Sequence, residues 1–299
     1  MSVKPFYVGG ALLCFAVLTV LACSGGEPTP GAEPSDELSI GVGSTDLGVG
    51  PNRLSFFLLD SDSTPVMVDR ADVCTYHPAS SYPEGEPKEV AVARFRKWAL
   101  GDMGVYTTQL TFDNPGEWAL MVSVVGVDGE SRSAEETFHV KQESSTPAIG
   151  SPALPSKNKT SRDVRALEEL TTAIEPDPEL YSITVAEALD SGKPLVVAFA
   201  TPAFCRTATC GPQVAAIQSV KDKYKDRVDF IHIEVFDNVE EIRREGDLSV
   251  ARTVDAVVEW GLLTEPWTFI VDRQGRIAAK FEAFTTEEEI EEELTKVLQ

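Results

Sequence analysis

The sequence predicts an α/β domain in the second half of the chain and an all-β domain before it. The first observation is a short uncharged apolar run, Leu195–Ala200, with a proline near each end, as expected for a buried central strand. The second is that helix-like and strand-like segments alternate around this run. The third is that residues 38–141 contain short β-prone runs between turn signals, which is typical of a small β-sandwich.

Composition sets bounds on the size and the partners of the protein. The 299 residues suffice for two modest domains, and the hydrophobic fraction of 42% and charged fraction of 25% are typical of folded globular proteins. The formal net charge is −22, from 48 acidic and 26 basic residues. This charge argues against nucleic acid and anionic membrane surfaces as direct partners.

The N-terminus has the pattern of a targeting segment. An apolar run over residues 8–22 is shorter than the roughly 20 residues that span a bilayer, and it fits the apolar region of a secretory signal. The run ends in Leu21-Ala22-Cys23, which resembles the bacterial lipoprotein cleavage box. The resemblance implies a signal peptide over residues 1–22, lipidation of Cys23 and an oxidising, extracytoplasmic location at the cell membrane. An ordinary signal or an uncleaved anchor is the alternative.

Residues 23–37 are rich in Gly, Pro, Ser and Glu and are predicted to form a flexible tether. Beyond them, the predicted β-sandwich domain covers residues 38–141, with strands expected over 53–59, 90–98, 104–112, 117–127 and 136–140. Pro115-Gly116 and Asp128-Gly129 mark turns. The stretch GVYTTQLTFDNPGEWALMVSV is similar to the last strands of immunoglobulin-like extracytoplasmic domains of the YtkA-like type.

Six side chains of this domain could in principle hold copper, namely Met67, Cys74, His77, Met103, Met121 and His139. No two of the histidines are close in sequence, and only Cys74 and His77 are clustered. Buried methionines and surface histidines are therefore the favoured interpretation, and we assign no metal ligand.

Residues 142–160 contain three prolines and are predicted to be a linker. The second domain, residues 161–299, is predicted to begin with a short helix over 161–174, because Val164, Leu167, Leu170 and Ile174 are spaced by three and four. It would pack on the domain as an N-terminal extension.

Local signals define the remaining elements of the second domain. Thr184 and Glu187 form a capping-box pattern that starts a helix over Val185–Ser191. Gly211-Pro212 is expected to open a helix over 213–225, because proline is favoured at the first helical position. A helix is also expected over 254–260, and acidic residues after Thr286 suit the positive end of a C-terminal helix. The predicted strands are 195–200, 228–235, 268–272 and 276–284, the first two parallel and the last two antiparallel.

For two further features of this domain, His232 and residues 237–250, the sequence favours a structural role over a catalytic or partner-binding one. His232 falls on the polar positions of the alternating strand 228–235, so we expect a half-exposed strand residue rather than a catalytic base. Residues 237–250 are acidic and rich in arginine, and we expect a loop or helix with a solvated face.

Two cysteines, Cys205 and Cys210, lie between the predicted buried strand and the helix that follows it. The N-terminus of a helix carries partial positive charge and unpaired N–H groups. A thiolate placed there is stabilised, and its pKa can fall from about 8.5 to about 3.5–7.5. Because the thiolate attacks disulfides and binds metals, this placement indicates a redox pair.

The stretches KPLVVAFATPAFC, CGP and EWGLLTEPWTFIVDRQGRIAAKF resemble thioredoxin-like thiol–disulfide proteins of the membrane-anchored bacterial kind. The resemblance covers roughly residues 182–299 and implies a thioredoxin-like fold. It also implies a Cys205–Cys210 disulfide, with Cys205 as attacking thiolate and Cys210 as resolving thiol. Pro266 would follow a cis bond and abut the cysteine loop, and with Glu265 and Trp267 it would bind the substrate chain.

The sequence departs from this family in the cysteine spacing. The family usually has two residues between its cysteines, whereas four stand here, Arg206 to Thr209. Side chains five apart on a continuous helix point away from each other, and a disulfide needs Cα atoms about 4.4–6.8 Å apart. Cys205 to Cys210 must therefore form a looped turn. Arg206 could add positive charge beside the thiols.

Three functions fit these observations. The favoured one is a membrane-anchored thiol–disulfide oxidoreductase that acts on protein thiols or disulfides and needs no cofactor. The second is a copper-binding or delivery module, although His232 does not stand after the loop proline, where the family's copper ligand is expected. The third is a structural lipoprotein whose disulfide only staples a loop. Cys74 is left over in this assignment and would be free, buried or intermolecular.

Overall fold

The computed structural model describes residues 38–98, 103–126, 128–205 and 209–299. The signal peptide, the lipidation of Cys23, the tether and the side chain of Arg206 lie outside these residues and stay predictions. Within the described ranges, we find no helix that is both long enough and apolar enough to cross a bilayer.

The first seven strands form one antiparallel sheet, and we call residues 38–141 the sheet domain. The strands are β1 (Ser39–Val42), β2 (Gly50–Leu59), β3 (Arg70–Tyr76), β4 (Glu89–Lys97), β5 (Gly104–Phe112), β6 (Gly116–Val125) and β7 (Ser131–Val140). Their order is β1-β2-β5-β4-β3-β6-β7. The two edge strands, β1 and β7, contact each other, and Gly48 bridges to Lys141, so the sheet curls around its core.

The core of the sheet domain is aromatic. Phe56, Tyr106, Phe112 and Trp118 are fully buried within it, with Phe56 and Tyr106 stacked at 5.4 Å between ring centroids. The predicted two-layer sandwich and its immunoglobulin-like character are not confirmed, because the strands belong to one continuous sheet. Strands β1 and β3 were not predicted, whereas the other five strands lie close to their predicted positions.

The α/β domain contains a four-stranded sheet. Its elements are α1 (Val185–Ser191), β8 (Leu195–Ala200), α2 (Cys210–Tyr224), β9 (Asp229–Glu234), α3 (Val239–Glu245), α4 (Asp255–Glu259), β10 (Trp267–Val271), β11 (Ile277–Glu282) and α5 (Glu287–Val297). The order is β11-β10-β8-β9. As predicted, β8 and β9 are parallel, and β10 and β11 are antiparallel.

Strand β8 lies between two hydrophobic cores, and all six of its residues are buried. Val196, Ala198 and Ala200 face one core, together with side chains of α2 and α5. Leu195, Val197 and Phe199 face the other, with Trp260 and residues of α1 and α4. Burial on both faces explains why β8 has no polar position. It also holds β8, and therefore the start of the cysteine loop, in place.

Helix starts follow the sequence signals in one case and depart from them in another. The capping box of Thr184 and Glu187 is present, and Gly192 ends α1 in the left-handed conformation, with φ of 72°. Helix α2, however, begins at Cys210, so Pro212 is its third residue rather than its first. The second cysteine therefore belongs to the helix itself.

The predicted helix over 161–174 does not form, and only a 3₁₀ turn is present, at Leu167–Glu169. The backbone groups of this segment are used by neighbouring elements. Arg243 of α3 donates to the carbonyl oxygens of Glu168 and Thr171, and the Thr172 N–H donates to Glu234 of β9. These tertiary hydrogen bonds replace the internal ladder of a helix.

The segment predicted as a linker, 142–160, packs against the α/β domain. The Gly150 N–H donates to the carbonyl oxygen of Ile277, the Ile277 N–H donates to that of Ser151, and the Ala153 N–H donates to that of Gly275. The side chain of Ala153 is buried in the same core as Phe199. This segment therefore joins the two domains along an ordered path.

Candidate functional site

A disulfide bond joins Cys205 to Cys210, with their Cα atoms 5.9 Å apart. Cys205 lies in the loop after β8 and is half-buried, whereas Cys210 is the first residue of α2 and is fully buried. The two Cα atoms thus lie within the range that a disulfide requires. Cys205 is thus the less buried residue of the pair.

The N-terminus of α2 faces the sulfur of Cys205. The Cys210 N–H donates to Cys205 Sγ, with 3.3 Å between nitrogen and sulfur. Helix α2 has 15 residues and carries no acidic side chain in its first turn. Its positive end would therefore stabilise a thiolate on Cys205.

The loop before β10 contains Glu265 and Pro266, and we call it the proline loop. It lies at the end of the sheet where the cysteine loop leaves β8. The Glu265–Pro266 peptide bond is cis, as expected. Trp267 pairs with Phe199 of β8, so Glu265 and Pro266 lie beside the end of that strand. The Thr201 N–H, at the start of the cysteine loop, donates to Glu265 Oε2 at 3.1 Å. This hydrogen bond connects the proline loop directly to the cysteine loop.

The side chain of Trp267, expected to bind substrate, points into the protein. It is 2% exposed, stacks on Phe269 and donates from Nε1 to Thr264 Oγ1 at 3.0 Å. The side chain of Trp267 therefore supports the proline loop from beneath instead of offering a surface.

A second carboxylate, missed by the sequence analysis, lies beneath the cysteine loop. Glu234 is the last residue of β9 and is 4% exposed. Its Oε2 accepts from the Thr172 N–H at 2.8 Å and from Thr172 Oγ1 at 2.9 Å, and Thr172 Oγ1 accepts from the Ala203 N–H at 3.0 Å. Glu234 thus holds the cysteine loop through one threonine. Only its place at the end of a buried strand could have indicated this role.

Glu234 and Glu265 are both harder to ionise in the folded protein than in water. Burial raises the pKa of Glu234. Burial, together with the charge of Glu234, raises the pKa of Glu265 to about 7. Glu265, beside the backbone of the cysteine loop, is therefore partly protonated near neutral pH.

His232 is not the half-exposed residue expected from its strand pattern, since it is 2% exposed. Residues around Tyr181 cover this part of β9, so the strand has no solvent-facing side. Burial lowers the pKa of His232 to about 4, which leaves the ring neutral. Nε2 donates to the Ala200 carbonyl oxygen at 3.0 Å, and Nδ1 accepts from the Tyr181 hydroxyl at 2.7 Å. Both ring nitrogens are occupied, which argues against copper binding by this histidine.

An apolar cleft borders the proline loop on the side of α4. Leu263, in the loop, is 78% exposed, and Val258, in α4, is 72% exposed. The side chains that line the cleft are those of Phe199, Val235, Thr253, Val257, Leu262, Leu263, Thr264 and Glu265. Exposed apolar surface next to a reactive loop is typical of a binding surface.

The donors considered for a metal in the sheet domain are dispersed or engaged. Cys74 is fully buried in β3, His77 stacks on Trp118 and His139 contacts Glu117. Among the described residues, one acidic group has ligand-like spacing, formed by Asp177, Glu179 and Asp222. The ammonium group of Lys221 contacts all three carboxylates, so this cluster already holds a cation.

No protein-family model and no curated protein sequence matches the chain. Of three similar solved structures, two are described as thiol:disulfide interchange proteins. A thiol:disulfide interchange protein DsbE from Chlorobium tepidum is 12% identical over 52% of this chain and 100% of its own, with a TM-score of 0.37. StoA from Bacillus subtilis is 20% identical over 42% of this chain and 94% of its own, with a TM-score of 0.29.

The third similar structure is a thioredoxin-family thiol:disulfide interchange protein from Chlorobium tepidum TLS. It is 13% identical over 52% of this chain and 97% of its own, with a TM-score of 0.32. Thioredoxin-like thiol:disulfide interchange proteins are thus structural neighbours of about half of this chain. Because these TM-scores are low, we draw no functional conclusion from the likeness. The function is inferred instead from the strand order and from the disulfide at the start of α2.

Proposed function

We propose that this protein is a thiol–disulfide oxidoreductase that exchanges disulfides with polypeptide substrates through Cys205 and Cys210. The observation that carries the proposal is the position of the disulfide. The sulfur of Cys205, the less buried residue of the pair, accepts a hydrogen bond from the first N–H of α2, and the proline loop lies at the same end of the sheet.

The exchange involves two electrons and two bonds. In the reduced protein, the Cys205 thiolate attacks a substrate disulfide, forms a mixed disulfide and releases one substrate thiolate. Cys210 then loses its proton and attacks Cys205 Sγ, which forms the Cys205–Cys210 bond and releases the second substrate thiolate. The substrate is reduced and the protein oxidised; the same steps in reverse oxidise a substrate dithiol.

The surroundings support this division of roles. Cys210 is fully buried, so its sulfur reacts within the protein, whereas Cys205 is partly exposed and able to meet a substrate. The backbone of Pro266 and the apolar cleft beside Glu265 would bind an extended substrate segment. The proposal includes lipid anchoring at Cys23 on the extracytoplasmic face and an immunoglobulin-like relationship of the sheet domain.

The proposal is tested by disulfide exchange with insulin in the presence of dithiothreitol. Cys205→Ser should abolish the protein-dependent reduction, because the remaining thiol of the pair, that of Cys210, is fully buried and cannot reach a substrate disulfide. Cys210→Ser should instead accumulate a mixed disulfide between Cys205 and the substrate, detectable by mass spectrometry. Unchanged turnover in Cys205→Ser would rule the proposal out.

A second candidate is a structural staple, which is favoured by the complete burial of Cys210. The two functions differ in the reduction potential of the Cys205–Cys210 couple. A structural disulfide is expected below roughly −300 mV and an exchanging one above it. Equilibration with defined dithiothreitol redox buffers measures this potential directly.

A further inference from the structure

Two buried arginines of the sheet domain, Arg96 and Arg53, form ion pairs with α5, and Arg53 also contacts the segment before α5. Arg53, in β2, is 6% exposed. Its Nε and Nη2 donate to the two carboxylate oxygens of Glu289 at 2.6 and 2.8 Å, and its Nη1 donates to the carbonyl oxygen of Glu282 at 3.1 Å. The guanidinium also lies over the ring of Phe281, at 5.6 Å. Each of these contacts crosses from the sheet domain to residues 281–289.

The same segment is bonded to both sides of the cysteine site. The Ala283 N–H donates to the carbonyl oxygen of Pro266 at 2.9 Å. The Thr285 N–H donates at 2.7 Å to Gln213 Oε1, which belongs to the first turn of α2 after Cys210. The residues held by Arg53 are therefore the direct neighbours of the proline loop and of the cysteine helix.

A second connection runs through the carboxylate of Glu282, which is 7% exposed. From the sheet domain it accepts hydrogen bonds from the N–H groups of Thr45 and Asp46, at 2.7 and 3.2 Å, and from the hydroxyl of Thr45. From the proline loop it accepts a hydrogen bond from Thr264 Oγ1 at 2.7 Å. Thr264 immediately precedes Glu265 and Pro266, so a single side chain ties a loop of the sheet domain to the substrate-binding loop.

The ion pair between Arg53 and Glu289 is buried, unlike the ion pairs of a mobile surface interface. Side-chain exposure is 3% for Arg53 and 7% for Glu289, so neither charge has water to replace a lost partner. A buried charge without its partner is strongly unfavourable, which favours one discrete arrangement of the two domains. A loop that binds substrate by its backbone depends on such fixed placement, because small displacements from productive geometry reduce rates strongly.

We propose that the sheet domain positions the Glu265–Pro266 loop for polypeptide substrates, with Arg53 and Glu282 as its positioning residues. The inference rests on the proposed function, since it assigns a role within the same exchange reaction. Under this proposal, the reactivity of the sulfurs and the recognition of the substrate depend on different parts of the protein. Chemistry at the sulfurs is set by α2, whereas recognition of a polypeptide chain is set by the proline loop and the sheet domain behind it.

The test compares a protein disulfide with a small one, using the full mature chain. Arg53→Met and Glu282→Gln should lower kcat/KM for insulin reduction on the order of tenfold or more, mainly through KM. Exchange with glutathione disulfide and the potential of the Cys205–Cys210 couple should stay close to wild type. Arg94→Met is the matched control, because Arg94 also faces α5 from the sheet domain, but is exposed and lies 3.7 Å from Glu292.

The outcomes are distinguishable from failure of the proposed function. A wild-type protein that does not reduce insulin would overturn both. An active wild type with equally active Arg53→Met and Glu282→Gln would overturn the positioning role alone, as would an equal loss with insulin and glutathione disulfide. If Arg53→Met does not fold, as judged by circular dichroism, the smaller change in Glu282→Gln decides.

Discussion

Glu265 is a carboxylic acid whose ionisation the folded protein resists. Its carboxylate accepts a hydrogen bond from Thr201, yet burial and the neighbouring Glu234 outweigh this bond and raise its pKa to about 7. An unfolded glutamate titrates at about 4.3. Because the folded pKa is the higher one, the contribution of Glu265 to stability is fully present below the unfolded pKa and is lost as pH rises through 7.

Glu265→Gln should remove this pH dependence. The amide oxygen can still accept from the Thr201 N–H, but it carries no charge to bury. The variant is therefore expected to match the wild type at pH 4 and to exceed its free energy of unfolding at pH 8, measured by urea denaturation of the oxidised protein. Glu240→Gln, on the exposed side of α3, serves as control and should leave the difference between the two pH values unchanged. Equal pH profiles for wild type and Glu265→Gln would contradict the prediction.

The sequence predicted some of these residues and not others, for a physical reason. Cys205, Cys210 and Pro266 stand in local motifs that can be recognised along the chain. Glu234 and Thr172 come from separate segments and acquire a role only when the fold brings them to the cysteine loop. His232 was assigned to a polar face because alternation does not reveal that a distant segment, around Tyr181, covers its strand.

Among the elements, the cysteine loop is held at two points of its backbone. Thr201 is bonded to Glu265, and Ala203 is bonded to the hydroxyl of Thr172. Thr172 is 3% exposed and its hydroxyl also donates to Glu234. One threonine thus satisfies a buried acid and a loop amide together, and this loop joins β8 to the helix that carries Cys210.

Thr172→Val should loosen the cysteine loop. It keeps the shape of the side chain but leaves the Ala203 N–H without its acceptor and Glu234 with one donor fewer. Loss of such a buried partner is expected to cost about 1–3 kcal/mol of unfolding free energy. Urea denaturation measures this loss, and amide hydrogen exchange at Ala203 should become faster. Thr172→Ser retains the hydroxyl and should stay near wild type; similar losses in both variants would indicate a packing effect instead.

Elements with strong local signals formed as predicted, and those governed by tertiary contacts did not. The capping box of α1 and the uncharged run of β8 carry their information within a few residues. The segment 161–174 has a helical spacing of apolar residues, but its backbone groups form hydrogen bonds with the side chains of Arg243 and Glu234 instead of with each other. In the sheet domain, the pairing of β4 with β3 as well as with β5 makes one curled sheet, and no local pattern specifies that pairing.

At the scale of the whole molecule, the two domains share a buried polar junction around Asp46. Its carboxylate accepts from Lys141 Nζ at 2.8 Å and from the backbone N–H groups of Ser145 and Thr146, at 2.7 and 3.0 Å. Thr146 Oγ1 in turn accepts from Lys280 of β11 at 2.9 Å. This junction, together with the Arg53–Glu289 ion pair, makes separate unfolding of either domain costly, so the oxidised protein should unfold in one transition.

The ionisation of Asp46 links this junction to acid stability. Burial alone would raise the pKa of Asp46, but the hydrogen bonds from Lys141, Ser145 and Thr146 outweigh it and hold the pKa at about 2. Because this value is below the unfolded one, the contribution of Asp46 is present above about pH 4 and is lost as pH falls through 2.

Asp46→Asn should therefore lower the free energy of unfolding at pH 7 by about 1–2 kcal/mol and flatten its decline between pH 4 and 2. Circular dichroism and tryptophan fluorescence, followed through urea denaturation, should give coincident transitions in the wild type. Asp62→Asn, at an exposed turn of the sheet domain, is the control and should change neither property. Since Trp118 lies in the sheet domain and Trp260 in the α/β domain, two separate fluorescence transitions in the wild type would contradict the shared junction.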